Sequence, residues 1–128
     1  MANTERNSRL RCTTGTATKA QYNAGYTIVP PDSSRSVILV GGWLRSTGNV
    51  TQATSIDICS TATSPVVGVA IAAAQLTNGT FAPLLASTAT KTTVGSANVK
   101  GHGLQILSVG TDETTATSCD YCVYYMTV

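Results

Sequence analysis

The chain has 128 residues, a formal net charge of +2, 11% charged residues and 42% hydrophobic ones. That length fits a single domain burying roughly two-thirds of its unfolded surface, and low charge with ample hydrophobicity argues against intrinsic disorder. No run reaches the ~18 apolar residues of a membrane helix, and one His with six carboxylates leaves few groups for acid–base catalysis. Composition thus favours a structural or binding protein over an enzyme. Residues 1–20 read as an extended arm, in which Arg6, Arg9 and Arg11 are opposed locally only by Glu5. The start lacks the apolar stretch of a secretory signal, so synthesis in the cytoplasm is expected. Three arginines at a chain end suit either a solvated terminus or an arm docking on an acidic partner surface. Without interleaved aromatics they make a weak footprint for nucleic acid.

Residues 21–128 read as a β-domain. Thr and Val recur throughout, and β-branched side chains fit a pleated surface better than a helix. Residues 25–29 (GYTIV) form the first strand, stopped by Pro30-Pro31-Asp32. Residues 36–45 (SVILVGGWLR) form one apolar run, and the Gly41-Gly42 pair inside it suggests a bulge or a close backbone crossing. Residues 53–60 alternate with period two, Ile56 and Ile58 on one face and Asp57 and Cys59 on the other. The Ala-rich run 66–74 lacks a polar helical face, begins β-branched and contains a Gly, so a strand is expected there. Asn78-Gly79 predicts a type I′ hairpin turn. Residues 80–85 (TFAPLL) are a strand that Pro83 places at an edge. Residues 86–100 are a Ser/Thr/Ala/Lys stretch, weakly structured or a polar strand. Residues 104–109 (LQILSV) and 119–128 (CDYCVYYMTV) complete the set. The last has two apolar or amphipathic faces, so it should be central in its sheet or covered by another subunit. No helix of useful length can be written. Roughly seven or eight short strands separated by turn signals imply an all-β, single-domain antiparallel β-sandwich or jelly roll.

Four cysteines stand at Cys12, Cys59, Cys119 and Cys122. Cys119 and Cys122 have the CxxC spacing of zinc and redox sites. A structural zinc site needs four ligands, but Cys12, Cys59 and His102 are scattered singly. Redox use wants the motif at a helix N-terminus, whereas here it opens a strand. Buried free thiols, or one disulfide such as Cys59 to Cys119 or Cys122, remain. No metal site or cofactor is expected. His102, between two glycines, has no nucleophile motif to serve. Asp112-Glu113 reads as a solvated loop, because a calcium loop needs further oxygen ligands at alternate positions. Asn49 and Asn78 stand in glycosylation-type triplets, of no consequence without a secretory signal. Trp43 suits a core or subunit-interface anchor.

An arginine-bearing N-terminal arm (Arg6, Arg9, Arg11) precedes a Thr/Ala/Gly-rich β-body, and runs such as PVVGVA at 65–70, TNGT at 77–80 and GLQI at 103–106 come before a closing strand. In these features the chain resembles the small head decoration (cement) proteins of tailed double-stranded-DNA bacteriophages. The resemblance implies a non-enzymatic virion protein, a homotrimer on the outer capsid surface that bridges capsomers of the major capsid protein and grips them with the arm. Neither membrane nor nucleic acid is then an expected partner. The four cysteines depart from many such proteins. Two other classes stay open. A receptor- or carbohydrate-binding module of a tail or fibre would expose Trp43, Tyr22 and Tyr26 as platforms. A small coat protein would turn the arginine arm toward nucleic acid.

Overall fold

The computed structural model describes residues 10–84, 89–92 and 100–128. The elements run β1 (Leu10–Thr18), α1 (Lys19–Ala24), β2 (Tyr26–Val29), β3 (Val37–Thr47), β4 (Ala53–Ser60) and β5 (Val67–Ala72). After a single 3-10 turn at Ala73–Gln75 come β6 (Phe81–Pro83), β7 (Ala89–Thr92), β8 (Leu104–Gly110) and β9 (Ser118–Thr127). They form two antiparallel sheets, one ordered β1-β9-β3-β6 and the other β2-β8-β4-β5-β7. Among the described strands, of consecutive ones only β4 and β5 pair directly. The other connections cross between sheets or skip strands, which closes the domain as an all-β sandwich.

The core lies between the sheets, with Leu39, Leu44 and Val123 from one and Ile56, Ile58, Ile71 and Ile106 from the other. Each such side chain contributes about 1.5–3 kcal/mol by leaving water. The closing strand β9 is central, between β1 and β3, as its two apolar faces imply. The Gly pair in β3 does both things that a double Gly suggests. The β3–β9 register shifts between Leu39 and Gly41, leaving Val40 as the extra residue of a bulge. Gly42 then has φ +130°, and a Cβ there would run into the Cys122 carbonyl. Pro83 ends β6 at the sheet edge, where its missing N–H costs no ladder bond.

Three expectations change. Residues 10–20 are not arm: Leu10–Thr18 pairs along its whole length with β9 as an edge strand, because its Thr-rich sequence finds a register there. Arg6 and Arg9 lie outside the described residues, as do 85–88 and 93–99 of the polar stretch. A helix does exist. Six residues of α1 are held by a capping box in which the Thr18 hydroxyl accepts from the Gln21 N–H and the Gln21 side chain accepts from the Thr18 N–H. Asn78-Gly79 does not make a type I′ hairpin. Thr80 N–H donates to the Thr77 carbonyl at 3.0 Å, but Gly79 alone has positive φ, which fits a type II turn. That turn carries the chain from the five-stranded sheet to the four-stranded one.

Candidate docking face

The outward side of the four-stranded sheet follows from register alone. Residues opposite one another point the same way, so successive rows cross β1, β9, β3 and β6. One row is Thr16, Asp120, Arg45 and Phe81, and the next is Thr14, Cys122, Trp43 and Pro83. Cys12, Tyr124 and Gly41 follow, and then Leu10, Met126 and Ile38. A fifth row, Thr18, Ser118 and Thr47, lies beyond the charged one, so the face is apolar over three of its five rows. No described element packs on it: Leu10 is 55% exposed, Phe81 54% and Tyr124 41%, and the bulged Val40 beside them 41%. Three apolar rows, about 20 Å along β1, β9 and β3 at ~4.8 Å spacing, with the three residues of β6, make roughly 350 Å², within the range of the largest apolar patches on monomeric proteins.

Trp43 is half-buried and meets Phe81 edge-on, with ring centroids 4.8 Å apart and planes at 86°. The Arg45 guanidinium lies over the Phe81 ring at 4.9 Å and reaches Asp120 at 2.8 Å. Asp120 also accepts from the Thr16 hydroxyl at 2.7 Å. The Arg45 hydrogen bond, then that of Thr16, holds its carboxyl below the usual aspartate range. The charged row is thus neutralised across three strands, and the face carries no net charge among its paired groups. Bound pairs of this kind stiffen a surface more than they stabilise a fold.

Of the two readings the sequence left open, free thiols or a disulfide through Cys59, the register does not bring Cys59 to a partner. Cys59 lies in β4 of the five-stranded sheet, opposite Gln105 and outside the core cluster, while Cys119 faces the core from β9. They therefore stand on different sheets and different faces, and Cys59, Cys119 and Cys122 are all free thiols. Burial pushes both Cys59 and Cys119 up to about 12, which makes them poor nucleophiles. Instead Cys122 sits 3.6 Å from Cys12, sulfur to sulfur, across β1 and β9. Desolvation, then the Cys122 hydrogen bond, raises the Cys12 thiol. No signal within either strand marks this pair, because only the register brings the two ends of the chain together.

The remaining candidate residues scatter. Arg11 points to the other side of β1, where it lines a cleft of about 300 Å³ with Asp32, Arg35, Pro31 and Tyr125. It does not join Trp43. Tyr22 is fully buried and donates to the Ala116 carbonyl at 2.6 Å, and Tyr26 packs half-buried against the core. A platform of Trp43, Tyr22 and Tyr26 is therefore not assembled. Among the described residues no group of three or more His, Cys, Asp or Glu side chains could hold a metal ion.

Glu113 departs furthest from expectation. It is no solvated loop residue but is 1% exposed. Its Oε1 accepts from the N–H groups of Thr51, Gln52 and Ala53, and its Oε2 from those of Thr115 and Ala116, all at 2.8–3.1 Å. Burial alone would raise this carboxyl; the backbone N–H donors overcome that and hold it at about 2. Glu113 thereby ties the β8–β9 loop to the β3–β4 loop and supplies structure rather than chemistry.

No family model, curated protein or solved structure matches the chain.

Proposed function

We propose that this protein is a structural virion subunit, a capsid decoration protein that docks on the outer surface of a phage head and stabilises the shell. The observation that carries this reading is the apolar face of the four-stranded sheet, centred on Trp43, on which no described element packs. An aromatic cluster beside an ion pair is the composition of an interface centre, where Trp, Tyr and Arg dominate binding.

The size of the face supports an assembly of several copies. Roughly 350 Å² per subunit is below the ~800 Å² per partner of a stable pairwise interface. Three such contacts on one trimer would act together, because after the first the others bind at high effective concentration. The major capsid protein is the proposed partner. A subunit that binds only the expanded shell stabilises that state by mass action, with no chemical step. Small-residue strands and few lysines keep the side-chain entropy lost on contact low.

Co-sedimentation of the purified protein with intact heads and with expanded empty heads tests this reading. Binding to expanded heads that weakens more than tenfold in Trp43→Ala is the expected result. A protein that binds neither form and stays monomeric by analytical ultracentrifugation would sink it. Salt-dependent, nuclease-sensitive binding would point instead to a coat protein.

A further inference from the structure

We propose that Cys12 and Cys122 are a disulfide-forming modification site, closed by exchange with a small-molecule disulfide such as oxidised glutathione, which staples the edge strand β1 to β9. Three observations converge on this pair. The sulfurs already stand 3.6 Å apart, so a bond of about 2.05 Å needs an approach of ~1.5 Å together with a shift of the backbone, because the two residues are diagonal rather than opposite in the β1–β9 register. Cys12 lies on an edge strand with one neighbour, β9, which leaves β1 free to make that adjustment. The two thiols differ in access, since Cys12 is exposed and Cys122 is 5% exposed.

That asymmetry orders the chemistry. The Cys12 thiolate attacks one sulfur of oxidised glutathione, and the first glutathione leaves as a thiolate. Cys122, the buried neighbour, then attacks the Cys12 sulfur of the mixed disulfide and expels the second glutathione. The two protons lost by the protein thiols end on the two glutathione sulfurs. Two protein thiols are oxidised and one small disulfide is reduced to two thiols, so atoms and electrons balance. Cys59 and Cys119 take no part, being buried on other faces.

The bond would close a loop over most of the chain, from residue 12 to residue 122. Cross-links that span long loops restrict the unfolded chain most. It would also pin the strand with which the described chain begins, in the middle of the apolar face and without adding charge there. Reducing cytoplasm keeps such thiols free, whereas an oxidising exterior closes them. The staple stands or falls separately from the docking reading, because its test needs no capsid.

The full-length protein is incubated with oxidised glutathione or with dithiothreitol and digested without reduction. The expected result is one cross-linked peptide pair joining Cys12 to Cys122, a protein mass lower by two hydrogen atoms, and free thiols falling from four to two. Amide exchange in β1 should slow by roughly tenfold or more in the oxidised form. Cys12→Ser, an exposed replacement that should keep the near-ultraviolet circular dichroism, should abolish the cross-link, whereas Cys59→Ser should not. A glutathione left unresolved on Cys12, a Cys12-linked dimer, or a cross-link through Cys59 or Cys119 would each overturn the proposal.

Discussion

Two regions of this sandwich treat their side chains in opposite ways. At the end where α1 meets the β8–β9 loop, polar groups are met from within the chain. The Asn23 carbonyl oxygen accepts from Ser108 and from the Glu113 N–H, its amide donates to the Glu113 carbonyl, and Glu113 itself takes five backbone donors. On the outer face of the four-stranded sheet, large apolar side chains meet a neighbour on one side and solvent on the other. The first arrangement is complete without a partner and stabilises the fold. The second leaves burial undone, and a docking surface is made of such unfinished burial. Mutations in the two regions should therefore separate stability from binding.

The sharpest break comes at the closed end. Glu113→Gln replaces an oxygen that accepts two N–H groups with an amide that can only donate, so the buried Ala116 loses its acceptor and Thr115 keeps only its longer bond to the Gln52 side chain at 3.3 Å. Leaving that one donor buried and unmet costs about 1–3 kcal/mol, which urea denaturation measures directly. Head binding of the still-folded fraction should be unchanged. A stability loss under ~1 kcal/mol would show that the two loops hold each other without the carboxylate.

Proton titration probes the same region without mutation, with somewhat smaller effect. Glu113 is held at about 2, below the ordinary glutamate value near 4.5. Its contribution is therefore full above pH ~4.5 and is lost as pH falls toward about 2. Tyr22 works from the other side: burial, then the Glu113 charge, raises it from 10 to about 12. A raised tyrosine contributes fully below pH ~10 and loses its contribution as pH climbs toward about 12. Thermal midpoints should be flat between pH ~4.5 and ~9, where the raised Cys59 and Cys119 thiols begin to lose their contribution, and fall outside that range. In Glu113→Gln the acid limb should flatten, and an unchanged limb would place the acid sensitivity elsewhere.

How far these regions were legible in the sequence follows the same division. Local chemistry showed through. β-branched composition, the Gly41-Gly42 bulge, Pro83 at an edge and the two-faced closing strand all depend on residues near one another in the chain. The Glu113 clamp did not show, because its donors come from two loops some sixty residues apart and its neighbour Asp112 made it resemble a solvated pair. Cys12 and Cys122 lie diagonally across a register that no spacing predicts. Six-residue α1 is too short for periodicity, although Thr18 and Gln21 carry its capping signal. The apolar face was half legible: Trp43 stood out as an anchor, but Phe81, which braces it, looked like an ordinary strand residue.

On the open face the order of effects reverses. Trp43→Ala should cost about 1 kcal/mol of stability, since the ring is half-buried and its main defined partner is the edge contact with Phe81. Its effect on head binding should exceed tenfold. A large stability loss with intact binding would mean that Trp43 belongs to the fold and that the face is not the docking surface.

The smallest stability effect should come from Asp120→Asn. The carboxylate bonds Arg45 at 2.8 Å and Thr16 at 2.7 Å, yet the pair is partly exposed, and exposed ion pairs contribute about 0.2–1 kcal/mol. Urea midpoints should shift barely, and less still in high salt, which screens the wild-type pair as well. What the aspartate does is hold Arg45 over Phe81 and keep the charged row neutral. Its removal leaves an uncompensated cation at the edge of an apolar surface. Binding should therefore weaken more than stability does, and Arg45→Ala in the same background should restore part of it, because the stranded charge goes with it. If the double variant binds no better than Asp120→Asn alone, the ion pair orders the sheet surface without shaping what docks there.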